Sequence, residues 1–230
     1  MESNKKRGKL IVIEGIDGCG KTTQVNLLKE KLDNQNFYYT REASDGAIGK
    51  LLRSKYLVKN DGSFDERVIN LLYAADRFDH VTNTVDGMLK YLNDGINVIT
   101  DRYYLSSMAY NSYMGKDVDE VIDLIHHTVM MNKYTMDLLR PDLTIYIDVE
   151  PGSALYRIDT RNDNNSIYET TEKLMKIHDS YNLAIKILRN IYHENIISIN
   201  GNDDPLNINN IIVSKINDVL NKEEEKHEDD

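Results

Sequence analysis

The sequence predicts a three-layer α/β domain, a parallel sheet with helices on both faces. Two observations carry this. Short apolar runs alternate with longer amphipathic stretches along the 230 residues. Strands separated by helices need crossover connections, which makes the sheet parallel and covers both of its faces. In addition, a glycine-rich stretch, GIDGCGKT at positions 15–22, and an acid–arginine pair, Asp101-Arg102, each directly follow one of the apolar runs. Ligands bind at those carboxyl ends of strands in open α/β sheets.

The strands are expected at 10–14 (LIVIE), 37–40 (FYYT), 96–100 (INVIT), 143–149 (LTIYIDV) and 196–199 (IISI). Each is a short run rich in β-branched or aromatic residues. The helices are expected at 21–33, 46–54, 65–93, 117–139, 152–160, 168–193 and 205–222. Pro151 and Pro205 stand where helices should begin, a position that tolerates the missing N–H. Asn60-Asp61-Gly62-Ser63 and Asn162-Asp163-Asn164-Asn165-Ser166 read as turns or loops, being clusters of the residues that favour them. Neither an internal repeat nor a linker is evident, so residues 1–222 read as a single domain.

Composition narrows the classes. Apolar residues make up 40% of the chain, enough for a core, and charged residues 29%. No run approaches the roughly 20 apolar residues that span a bilayer, and 10–13 is too short for the core of a signal peptide, so a cytoplasmic protein is expected. Cys19 is the only cysteine, which excludes an internal disulfide and argues against a cysteine-based zinc site. The net charge of −10 argues against a general nucleic-acid binder. Half of it lies in the tail 223–230, with six acids and one lysine, read as a disordered end. The rest of the chain can still hold a local cationic pocket.

GIDGCGKT fits the pattern G-x-x-x-x-G-K-[ST], with a strand before it and a helix after it. In such a P-loop the glycines let successive N–H groups point at phosphate oxygens, and the helix N-terminus adds partial positive charge. The loop residues Gly15, Ile16, Asp17, Gly18, Cys19, Gly20, Lys21, Thr22 and Thr23 are the candidate ATP site. Lys21 is to reach the β- and γ-phosphates, and the Thr22 hydroxyl is offered to Mg²⁺. Asp101 can hold that Mg²⁺ through water, and Arg102 can grip a phosphoryl group. Cys19 is read as a small filler at the helix start. A P-loop alone does not separate a kinase from a switch GTPase or a motor; a guanine-reading N-K-x-D motif is absent from the chain.

Five blocks in order, IEGIDGCGKTTQ, TREASDGAIGKLLR, LLYAADRFDHV, DRYYLSSMAY and RPDLTIYIDVEPGSALYRI, resemble the thymidylate kinase family over about residues 8 to 220. The second block is similar to archaeal members. The resemblance implies a P-loop NTPase-type fold, strand order 2-3-1-4-5 with a short lid, and transfer of the ATP γ-phosphoryl group to dTMP in dTTP biosynthesis. Asp17 then meets the deoxyribose 3′-hydroxyl. Arg102 holds the dTMP phosphate, aided by Arg41 and Arg53. Tyr73 stacks on the thymine, Arg77 bonds its O4, Ser106 and Ser107 lie beside the base, and Tyr110 lies under the sugar. Family members are homodimers with long helices across the two-fold axis.

Tyr73 and Arg77 are i and i+4 on one predicted helix and so share a face, about 6 Å apart at Cβ. Val68, Leu71, Leu72, Ala75 and Phe78 are expected to fill the opposite, core-facing stripe. Where some relatives carry a basic residue in the P-loop, this chain has Gly18, so positive charge on the migrating group must come from a lid at about 157–168. Its expected bacterial ending is replaced by Ser166-Ile167-Tyr168-Glu169, leaving Arg157 and Arg161 as the catalytic candidates beside Lys21 and Arg102. Ala43 stands where many relatives have proline, and the role of Glu42 stays open. Two rivals are a deoxynucleoside kinase, which needs a carboxylate base, and a nucleotide-binding module without transfer activity.

Overall fold

The computed structural model describes residues 6–32, 36–57, 64–160 and 170–221. Five strands form one sheet: β1 (Leu10–Glu14), β2 (Phe37–Arg41), β3 (Asn97–Asp101), β4 (Leu143–Asp148) and β5 (Ile196–Asn200). Their order is β2-β3-β1-β4-β5, as expected, and every neighbouring pair is parallel. All five residues of β1 are buried, because helices cover both faces of a parallel sheet. Burying a Leu, Ile or Val in this way contributes about 1.5–3 kcal/mol each. The last residue, Glu14, is the exception to the apolar pattern and returns below. The register sets Ile13 beside Asp101 and Glu14 beside Tyr146, so the strand ends that carry chemistry are level.

The helices are α1 (Lys21–Lys31), α2 (Ala47–Leu51, continued by a π-helical turn Leu52–Tyr56), α3 (Glu66–Thr82), α4 (Met88–Asn93), α5 (Tyr104–Ser112), α6 (Val118–Met131), α7 (Lys133–Leu138), α8 (Pro151–Asp159), α9 (Thr171–Tyr192) and α10 (Pro205–Asn221). Pro151 and Pro205 are the first residues of their helices. No helix among the described residues is long and apolar enough to cross a membrane. Arg161, most of the expected lid, both expected turns and the acidic tail lie outside the described residues.

Three expectations need correction. The predicted helix 65–93 is two helices, because the Asn83 side chain takes the N–H of Val85 at 2.9 Å. Such a local bond competes with the helical ladder. The predicted helix 117–139 likewise divides at Asn132, whose side chain is engaged elsewhere. The stripe Val68, Leu71, Leu72, Ala75, Phe78 is not core. Val68, Leu71 and Phe78 are 43%, 56% and 40% exposed, while Asp76, Arg77, His80 and Val81 are the buried residues of α3. The polar face goes inward because it is partnered. Asp76 accepts from the Ser44 N–H at 2.7 Å and the Ser44 hydroxyl at 2.6 Å, and His80 Nε2 meets Thr40 Oγ1 at 2.8 Å.

Helix α5 was not among the expected helices. Residues Tyr104 to Ala109 are all buried, and with so little of the helix facing solvent its sequence shows no clear amphipathic period.

Candidate active site

The P-loop joins β1 to α1 as the motif requires. Gly20 caps α1 with φ 101°, a left-handed conformation that glycine adopts freely. Gly18, at φ 79°, lies against α8, and a Cβ there would stand 2.3 Å from the Ala154 carbonyl oxygen. Ile16 and Cys19 turn their side chains into the core, at 0% and 2% exposure, so only their backbone is available to a phosphate. Lys21 is buried beneath the loop, its Nζ donating to the carbonyls of Gly15 at 2.9 Å and Ile16 at 3.0 Å. Thr22 is exposed and Thr23 half-buried in the first turn of α1.

At the end of β3, next to β1, Asp101 Oδ1 is buried without a hydrogen-bond partner among the described residues. An unpartnered buried acceptor is costly. A hydrated divalent cation is the kind of donor that would satisfy it, which suits the role toward Mg²⁺ expected of Asp101.

Arg102, the next residue, has φ 74°. A non-glycine residue held there costs about 1–3 kcal/mol and persists only where its surroundings over-determine it. They do. The Arg102 N–H donates to Ile13 O at 2.9 Å, and its carbonyl accepts from Thr100 Oγ1 at 3.0 Å. Its guanidinium donates from Nη1 to Ser106 Oγ at 2.9 Å, Gly15 O at 3.3 Å and Tyr181 Oη at 3.3 Å, and from Nη2 to Asp17 Oδ1. Asp17 Oδ2 accepts from the Tyr110 hydroxyl at 2.7 Å. Burial alone would raise the Asp17 pKa, but Arg102, Lys21 and the Tyr110 bond outweigh it and hold the carboxyl at about 2.

A cavity of about 310 Å³ opens beside this cluster. Asp17, Tyr73, Arg77, Arg102, Ser106, Ser107 and Tyr110 all line it, so residues from three separate blocks of sequence converge on one space. Arg77 is 1% exposed and its guanidinium is largely committed. Nε donates to Glu42 at 2.8 Å, Nη2 reaches Glu42 Oε2 and Ser107 Oγ (2.9 Å), and Nη1 donates to Asn132 Oδ1 at 2.6 Å. Of the five N–H donors of an arginine, one on Nη1 is left over among the described contacts. Glu42, whose role the sequence left open, is the ion-pair partner of Arg77, each side chain 1% exposed.

Arg41 and Arg53 do not line this cavity. They gather on Asp45 at 3.4 Å and 2.9 Å, with Arg41 60% exposed. Arg157, on α8, donates to the Gly201 carbonyl at 3.1 Å and is likewise outside the cavity. Sequence reasoning missed Asn132, Asn111, Tyr113 and Lys173. Lys173 lines the cavity from the first turn of α9 and stands 5.7 Å from the Tyr113 ring. No motif marks these residues; only the packing of α5, α6 and α9 brings them in.

A P-loop and a separate arginine-bearing cavity, side by side at the carboxyl ends of neighbouring parallel strands, are the arrangement of a P-loop phosphotransferase. The sequence model described as thymidylate kinase matches residues 13–212. Among similar proteins, the probable thymidylate kinase of Staphylothermus marinus is 36% identical, covering 77% of this chain and 82% of that protein. The thymidylate kinase of Clostridium novyi is 34% identical over 85% of this chain and 92% of its own. That of Plasmodium falciparum is 34% identical over 98% of this chain and 97% of its own. The chain belongs to the thymidylate kinase family.

Proposed function

We propose that this protein transfers the γ-phosphoryl group of ATP to dTMP, giving ADP and dTDP, in the cytoplasm. The observation that carries the reading is the cavity, where Arg102 lies beside the P-loop residue Asp17, and Tyr73 and Arg77 lie on one face of α3. Arg102 takes the acceptor phosphate, Asp17 and Tyr110 take the deoxyribose, and Tyr73 and Arg77 take the face and edge of the base. The single uncommitted N–H of Arg77 is the donor for thymine O4, and cytosine would set an amino group against it.

ATP sits in the loop 15–23, with Lys21 turning from the loop carbonyls to the phosphates. When bound, Mg²⁺ neutralises charge on the ATP phosphates, held by Thr22 and, through water, Asp101. Arg157 and Arg161 add positive charge from α8 and the segment after it. Catalysis is positioning and charge neutralisation. No general base is needed, since the attacking phosphate oxygen is already anionic.

The carboxylates support this over a deoxynucleoside kinase. Asp17, at about pKa 2, is a poor base at neutral pH. Glu42 is tied to Arg77 and Glu14 is fully buried. We also infer a homodimer. The exposed Val68, Leu71 and Phe78 recur at helical spacing on α3, and the exposed Tyr134 of α7 extends them, its ring centroid 6.3 Å from that of Phe78. Monomers rarely expose contiguous apolar patches of this kind.

A coupled ADP-release assay with dTMP, dUMP, dCMP and thymidine tests the reading. Turnover is expected with dTMP and not with thymidine; phosphorylation of thymidine, or of no monophosphate, would overturn it.

A further inference from the structure

Glu14 takes no part in the transfer described above. It is nevertheless a fully buried carboxylate with four hydrogen-bond donors around it. We propose that Glu14 is a positioning residue: it fixes the backbone turn of Arg102 and orients the Ser106 and Tyr181 hydroxyls that seat the Arg102 guanidinium for the acceptor phosphate. The inference rests on the reading that Arg102 grips that phosphate.

Each carboxylate oxygen has a separate task. Oε1 accepts from the backbone N–H of Tyr103 at 2.8 Å and of Ser106 at 3.1 Å. These are donors at the start of α5, which has no side-chain cap of its own, so Glu14 caps that helix from the neighbouring strand. The Tyr103 N–H belongs to the peptide directly after Arg102. That bond, with the one from the Arg102 N–H to Ile13 O, holds the left-handed turn from both sides.

Oε2 accepts from Ser106 Oγ at 2.6 Å and Tyr181 Oη at 3.0 Å. The same two oxygens accept from Arg102 Nη1 at 2.9 Å and 3.3 Å. A hydroxyl has one hydrogen and two lone pairs. The two oxygens also lie 2.7 Å apart, so at least one hydroxyl gives its hydrogen to Oε2 and the other's is shared between Oε2 and its neighbour; either way both keep lone pairs for the arginine. At 0% exposure, Glu14 cannot touch a substrate, so its influence on the acceptor passes through the residues it holds, chiefly Arg102 and also Ser106, which lines the cavity.

The test is Glu14→Gln, which keeps the shape and the acceptor for the backbone donors but removes the charge and puts an amide donor where Oε2 accepted. Binding of dTMP, thymidine and an ATP analogue is measured by calorimetry on wild type and variant. Removing a hydrogen bond to a charged group is worth about tenfold or more in affinity. The variant should therefore lose at least about tenfold for dTMP, with thymidine, which has no phosphate, and the ATP analogue changed less than about twofold. Equal losses for dTMP and thymidine, or no loss for dTMP, would overturn the proposal. If Glu14→Gln does not fold, Tyr181→Phe removes one of the two hydroxyls and is judged by the same dTMP-against-thymidine split. A wild type that binds dTMP no better than thymidine would instead refute the role of Arg102 under the proposed function.

Discussion

Arg77 and Arg102 are the same residue type in the same cavity, and their neighbours give them different tasks. Arg77 is clamped by Glu42, Ser107 and Asn132, so it is a fixed edge with one donor to present. Arg102 shares its guanidinium with Asp17, whose side chain is 43% exposed, so an incoming anion can compete for it. The depressed pKa of Asp17 has a consequence for stability. Its folded value of about 2 lies below the ordinary 3.8, so the Asp17–Arg102 interaction contributes stability above roughly pH 4. That contribution is lost as pH falls towards 2. Urea midpoints of wild type and Asp17→Asn, measured from pH 5 downward, should converge as the pH drops. A constant gap between the two curves would show that the charge of Asp17 is not what Arg102 stabilises.

Among the elements, the strands were legible because β1, β3 and β4 are short apolar runs, and the P-loop because its glycines stand at a strand–helix junction. Arg102 was legible from its place after an acid at a strand end and Asp17 from the loop motif, but their roles toward the acceptor, and Tyr110 altogether, were legible only as members of ordered blocks. What was hidden has physical causes. Helix α5 is buried over most of its length and shows no clear period. The inward face of α3 is polar, so its apolar residues pointed the reading the wrong way. Glu14 is one charged residue at the end of an apolar strand, and its four donors come from residues 89 or more positions away.

Gly18 belongs to this scale too, since it decides how closely α8 approaches the loop. Gly18→Ala would place a Cβ 2.3 Å from the Ala154 carbonyl oxygen at φ 79°, a strain of about 1–3 kcal/mol. The expected outcome is a lower melting temperature and a KM for ATP raised at least about fivefold, with the KM for dTMP little changed. Unaltered ATP kinetics would mean that α8 and the loop move independently.

For the molecule as a whole, the apolar stripe on α3 lies on the same helix as Tyr73 and Arg77. A charge at its centre should separate subunits without touching the cavity lining. Leu71→Glu, at a residue 56% exposed, is expected to convert a dimer into a folded monomer in sedimentation velocity, with the circular dichroism spectrum retained. A wild type that sediments as a monomer would leave the stripe without the role assigned to it. The position of Cys19 has a separate use. As the chain's single thiol, its side chain turned inward from the P-loop at 2% exposure, it is a natural reporter of loop opening. An alkylating reagent can reach it only when the loop opens, so the rate of labelling counts those excursions, and a nucleotide that pins the loop should slow it.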